Sequence, residues 1–310
     1  MRRRNAAPPG AITLGVVLCV ALACCAVLCF GETSADTARV PTFDIVVSAY
    51  RENLTWLHEF EREFPHARLR VYAKHEEAAL QWPGARVLPN VGRCDHTYAH
   101  YLVEHYDALP DQVLFVTASA NDLPHKRRWL DTIVWTLRRG RASWHTCSPV
   151  VGNFHRLARR FSLDAYCVSD VHNIDVDIDD DGHIDAAFAG VAGARCEIVR
   201  ADVRPMEAWW ARHVGVDVPF PRVWTRGGIF AARREALQQT PLDVWRRLRD
   251  ELSVGDNLEA GHFMERAWLG LALPRPSWRE LACLAALELR DVASNAHRAL
   301  FGDGCAAPRR

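Results

Sequence analysis

The chain has 310 residues, 49% of them hydrophobic and 25% charged, with 38 basic side chains against 38 acidic ones. That composition belongs to a globular protein with a substantial core and excludes a largely disordered chain. The even charge balance excludes a protein that binds nucleic acid through a global basic field, so no nucleic-acid partner is expected.

Arg2, Arg3 and Arg4 precede a run from Ala11 to Phe30 that carries no charge. A helix of that length spans roughly 30 Å, the thickness of a bilayer's hydrocarbon core. With arginines before it and Glu32 and Asp36 after it, the positive-inside rule keeps residues 1–10 in the cytosol and translocates the rest. The expectation is a type II single-pass protein held in the membrane by residues 11–30, its body in the Golgi or endoplasmic reticulum lumen or at the cell surface. A cleaved signal peptide is the alternative, with Cys29 and Gly31 small enough for processing. Six cysteines lie beyond this run, at 94, 147, 167, 196, 283 and 305, and an oxidising compartment would allow them three disulfides. Asn53-Leu54-Thr55 is a glycosylation sequon on the same side.

Residues 31–42 read as a stem, 43–273 as one globular α/β domain and 274–310 as a helix-prone tail. A β-branched run at 43–49 predicts a buried strand, and apolar spacing at Leu54, Leu57 and Phe60 predicts a helix over 51–64. Strands follow at 68–73 and 86–88, then a helix capped by Asp95 that runs to Tyr106, then a fourth strand at 112–117. Strands alternating with helices imply a mostly parallel central sheet flanked by helices. Further on, helices are expected at 126–139, 205–213, 241–252 and 258–271, and a strand at 227–232.

Three clusters could carry chemistry. Asp177, Asp179, Asp181, His183 (through its carbonyl) and Asp185 surround Gly182 in the pattern of a calcium loop, though the twelfth position is Phe188 where a bidentate Glu is usual. Structural Ca2+, a catalytic divalent metal and a solvated acidic loop are all compatible with that pattern. Glu259, His262 and Glu265 recur every third residue, so on a helix they form a slowly drifting row that could supply acid and base groups or ligate a metal. An ordinary helix start with an internal ion pair to Arg266 is the alternative. Asn90, Gly92 and Arg93 form a glycine turn before a helix, a place where backbone N–H groups and a guanidinium suit phosphate.

These segments resemble a family. The run from Asp44 to Leu57, then Leu88 to Arg93 with Thr97-Tyr98 and Tyr106 to Asp111, then Gly228 to Arg234 and Glu259 to Trp268, are similar, in that order, to the motifs of the uncharacterised family known as domain of unknown function 3431. Its opening strand and turn are similar to glycosyltransferases of the GT-A type, which implies a GT-A or Rossmann-like fold and a nucleotide-sugar donor. By that resemblance Arg51, Glu52, Asn90, Gly92 and Arg93 would bind substrate, and Glu265, His262 or Glu259 would serve an acceptor hydroxyl of a glycan or protein. The Asp-x-Asp that holds Mn2+ or Mg2+ in such enzymes is reduced here to Asp122, after Val116-Thr117-Ala118-Ser119-Ala120-Asn121. Asp122 would orient a ribose, a metal or a sugar hydroxyl. A non-catalytic, calcium-stabilised module that binds glycan or protein is the competing reading.

Overall fold

The computed structural model describes residues 42–137, 144–146, 149–150, 154–164, 166, 197–221, 224–225 and 228–272. The expected anchor at 11–30, the calcium loop at 177–185 and the tail beyond 272 lie outside the described residues. Among the described residues no helix is long and apolar enough to cross a membrane.

Strand β1 (Phe43–Ala49) is buried along its whole length, and β2 (Ala67–Ala73) and β4 (Gln112–Thr117) flank it in parallel register. A two-residue strand, β3 (Arg86–Val87), extends the parallel part beyond β2. On the other side β8 (Phe230–Arg233) runs antiparallel to β4 and β5 (Trp144–Thr146) antiparallel to β8. The order is therefore β3-β2-β1-β4-β8-β5, and a separate pair joins β6 (Pro149–Val150) to β7 (Trp224–Thr225). The sheet is α/β as expected and mixed rather than purely parallel, with β8 running against its neighbours β4 and β5. The apolar run at 229–232 revealed a strand, but nothing in it encodes direction, which the pairing with β4 decides.

Strand alternation divides the core into two layers. Phe43, Ile45, Val47 and Ala49 of β1, Leu114 and Val116 of β4 and Ala231 of β8 face one layer. Helices α1 (Leu57–Glu63), α2 (Glu76–Gln81) and α4 (Pro124–Leu137) cover it, supplying Leu57, Phe60, Ala78, Leu130 and Ile133. Val46, Val113, Phe115, Phe230 and Ala232 face the other layer. There α3 (Arg93–His105), α6 (Met206–His213), α8 (Leu242–Glu251) and α9 (Glu259–Ala272) pack, with short helices α5 (Phe154–Arg159) and α7 (Arg234–Leu237) beside them. Aromatic rings knit this second layer: Phe115, Phe230 and Trp268 stack on one another, and Trp245 stacks on Trp268.

Two starts differ from expectation. Helix α1 begins at Leu57 because residues 51–56 form turns, with Thr55 N–H bonded to Asn53 Oδ1. Helix α3 begins at Arg93, and its N-cap is Gly92 in the left-handed region at φ 52°. Asp95 is not the cap. It lies inside the first turn, buried, where its carboxylate accepts a 2.5 Å hydrogen bond from the Trp268 indole.

Candidate functional site

The parallel order reverses at β1, whose neighbours are β2 on one side and β4 on the other. In open α/β sheets such a switch point leaves a crevice at the carboxyl ends of the strands, where ligands bind. The residues just past these ends are Glu52 after β1, Lys74 after β2, Arg93 and Asp95 after β3, and Asp122 and Lys126 after β4.

Several of these are charged groups held away from water. Lys74, Asp95 and Lys126 are buried. The Lys74 ammonium donates to the carbonyls of Val91 and Arg93, tying the turn before α3 to the end of β2. Burial lowers its pKa to about 8, against the opposing pull of Cys94 and Asp95. Burial raises Asp95 to about 7, with the Trp268 hydrogen bond pulling it down and Glu265 pushing it up. Lys126 donates to Ser119 Oγ at 3.3 Å, and Ser119 donates to Thr117 Oγ1. Glu52 is raised by burial; its Oε2 accepts from Tyr50 N–H at 2.7 Å, and Asp122 and Lys126 act on its charge. The Cys94 thiol has Asp95, Lys126, Lys74 and Glu265 as its charged neighbours, so these side chains share one electrostatic environment.

Arg93 forms another wall. It donates to Asn257 Oδ1 at 3.1 Å, and its guanidinium sits over the Tyr166 ring at 4.7 Å. Asn257 in turn donates to the carbonyls of Tyr166 and Glu197, joining both ends of the segment between them to the base of α9. His262 presses its ring edge-on to Tyr166 with centroids 4.1 Å apart. Burial and the Arg93 and Arg266 charges hold its pKa well below the usual imidazole value, so the ring is neutral. Its Nε2 is enclosed and has no hydrogen-bond partner.

The expected row on α9 divides by environment. Glu265 is partly exposed, beside Arg266, and close enough to act on Asp95 and Cys94. Glu259 is fully buried. Its Oε1 accepts from Leu163 N–H and Arg204 Nε, and its Oε2 from Ala201 N–H. Fully buried and with both oxygens already accepting from the protein, this carboxylate is closed to an acceptor hydroxyl, so the base role expected of Glu259 does not fit. It fastens the segments around 163 and 201 to α9.

The turn before α3 also differs from expectation. Gly92 N–H donates to Gly255 O at 2.6 Å, and a Cβ at Gly92 would stand 2.4 Å from Leu252 O. Glycine serves the close approach of the chain after α8, and its N–H is not directed at a ligand. Asn90 is exposed. Arg51 donates to His75 Nε2 at 3.2 Å and lies 3.9 Å from Glu77, at the outer rim. Asn53 is exposed, as a glycan acceptor must be. Cys94 is a free thiol, which leaves five cysteines outside the apolar run and at most two disulfides among them.

Lys74, Lys126 and Asn257 were not legible as site residues. Each is a single polar side chain without a motif, and only the assembled sheet brings it to the crevice. Asp44 shows the reverse case: buried at the opposite end of β1, it is held by Arg68, Arg70 and Tyr101 and belongs to the framework.

The fold is α/β with a mixed sheet, and charged side chains gather at the carboxyl ends of its central parallel strands. The family model for proteins of unknown function designated DUF3431 matches residues 45–276, three quarters of the chain. The chain belongs to that family. No curated protein and no solved structure gives a significant match.

Proposed function

We propose that this chain is a glycosyltransferase-like enzyme that takes a nucleotide-sugar donor at the carboxyl edge of β1 and β4 and passes the sugar to an acceptor hydroxyl. The observation that carries the reading is the gathering of Lys74, Lys126 and Arg93 with Glu52, Asp122 and Glu265 at the carboxyl ends of the parallel strands. Cations sheltered from water suit a diphosphate, because attraction between charges strengthens as the local dielectric falls. Lys126 and Arg93 would meet the phosphates, with Lys74 holding the turn that presents Arg93. Asp122, exposed beside Glu52 and Lys126, would take a ribose or sugar hydroxyl. If Mn2+ or Mg2+ accompanies the donor, Glu52 and Asp122 are the oxygen ligands that would hold it there, supplying positive charge opposite the leaving diphosphate.

Glu265 is the proposed base. It is the carboxylate of the α9 row that keeps access to solvent, and it stands beside Asp95 and Cys94. Neutral His262, with its vacant Nε2, would accept a hydrogen bond from donor or acceptor. The apolar run at 11–30 and the Asn53 sequon support a lumenal, membrane-anchored setting in which nucleotide sugars and glycan or protein acceptors meet.

The test is turnover and binding by the full chain in detergent against a panel of nucleoside diphosphate sugars, with and without Mn2+. One donor should raise the melting temperature and release nucleoside diphosphate. Glu265→Gln should abolish release while preserving the thermal shift, and Lys126→Met should reduce the shift. If no nucleoside diphosphate sugar shifts the wild-type melting temperature or is consumed, the reading fails.

A further inference from the structure

Away from the crevice, three segments bring metal-ligating atoms to one point. His213 ends α6, Glu251 ends α8, and Asp202 lies in a bend of the segment 197–205. His213 Nε2 is 3.3 Å from Asp202 Oδ1 and 3.9 Å from Glu251 Oε2, and the three ligand atoms all fall within 4.8 Å of one another. A tetrahedral ion with arms of about 2.0–2.1 Å sets its ligands roughly 3.3–3.4 Å apart, so small side-chain adjustments would seat one. His213 Nε2 and Asp202 Oδ1 are hydrogen-bonded at 3.3 Å, longer than the roughly 2.8 Å of a well-formed charge-assisted bond, and Glu251 stands further off at 3.9 Å.

A second, independent observation points to the same place. Trp209 is fully buried with its ring 5.3 Å from that of His213. Its indole N–H faces the Glu251 carboxyl and acts on it as a hydrogen-bond donor, though in a geometry short of a full hydrogen bond. A buried donor left in this position is what orients a ligating carboxylate from behind when a cation pulls it into place. The nearby guanidinium of Arg247 does not neutralise the cluster, because it bonds the His213 carbonyl and Asp243.

We propose that Asp202, His213 and Glu251 bind one divalent transition-metal ion, of the Zn2+ class, as a structural staple. One imidazole and two carboxylates give the ion a neutral site, and the exposed side of Asp202 leaves a fourth position for water. The staple closes a circuit in the fold. Segment 197–205 is bonded to the base of α9 through Ala201 N–H to Glu259 and Val199 N–H to Asn257 O. The residue after Glu251 is Leu252, whose carbonyl fills the space above Gly92. The ion would thus fix the corner that braces the Arg93 turn while standing outside the reacting centre.

The test uses the full chain stripped with chelator, titrated with ZnCl2 by calorimetry and with CoCl2 by visible absorption. One equivalent of Zn2+ should bind and raise the melting temperature, and Co2+ should give the intense bands of a four-coordinate site. Asp202→Ala, at an exposed position where the fold is not at stake, should weaken Zn2+ by about tenfold or more, and Glu251→Gln by a similar factor. His213→Gln should remove the Co2+ bands. Zn2+ affinity and Co2+ spectrum unchanged in Asp202→Ala and Glu251→Gln would place the ion elsewhere and overturn the proposal. So would the absence of any Zn2+-dependent thermal shift. Neither result touches the nucleotide-sugar reading, which concerns other residues and a different readout.

Discussion

Asp95 is where burial and chemistry conflict most sharply. Its folded pKa of about 7 stands above the ordinary 3.8 because burial disfavours the charge. The folded state therefore holds this proton more tightly than the unfolded chain does. Stability from this group is full below about pH 4 and falls as pH rises towards 7, with a slope of up to about 1.4 kcal/mol per pH unit. Asp95→Asn removes the titration. Its stability relative to wild type should climb between the two values and level off above them, as read from urea melts across that range. Trp268→Phe keeps an aromatic ring in the stack but removes the indole donor that lowers the Asp95 pKa. It should cost about 1–3 kcal/mol through the stranded acceptor and move the midpoint of the pH dependence upward. The sequence displayed Asp95 as a plausible cap because it stands at a helix start. Its partner lies 173 residues away, and no local pattern carries that information.

At the scale of elements, legibility followed the kind of force involved. Strands β1 and β4 were readable as continuous apolar runs, and helices α8 and α9 by an apolar period sustained over enough residues to outweigh local noise. The starts of α1 and α3 were not, because turn hydrogen bonds and one left-handed glycine set them. Strands β5, β6 and β7, each two or three residues long, carry too little sequence to show a period. Gly92 marks the junction between these cases. Its φ of 52° and the 2.4 Å approach to Leu252 O act together. Gly92→Ala should destabilise the protein by about 2 kcal/mol or more, since the strain of a left-handed alanine adds to a backbone clash that no side-chain rotation relieves. A denaturant midpoint lowered without a change in slope would register this. Glu259→Gln tests the other anchor. It replaces a buried charge bonded to Arg204 and two backbone donors and leaves that guanidinium facing a neutral amide. The expected loss is about 3–5 kcal/mol, seen in thermal melts. A small effect there would return Glu259 to consideration as a chemical group.

For the whole molecule, the division of the core into two layers determines what can fold alone. The layer over α1, α2 and α4 is built almost entirely from residues 43–137, and among the described residues only Ile229, just before β8, and Ala231 within it come from further along. The other layer is not local. Val46, Val113 and Phe115 of the early strands are covered by Trp209, Trp245, Phe263, Met264 and Trp268, which arrive more than ninety residues after β4. A fragment ending at residue 205 would retain α3 over this face but lose α6, α8, α9 and the antiparallel strand β8. The exposed edge of β4 and the bared aromatic face would both invite association. Such a fragment should bind ANS, elute as oligomers and show no cooperative melt, whereas a fragment spanning residues 42–276 should melt as one unit. A monomeric, cooperatively melting 42–205 fragment would mean that the later helices are an appendage. The crevice would then have to be understood without Glu265 and His262, both of which α9 carries.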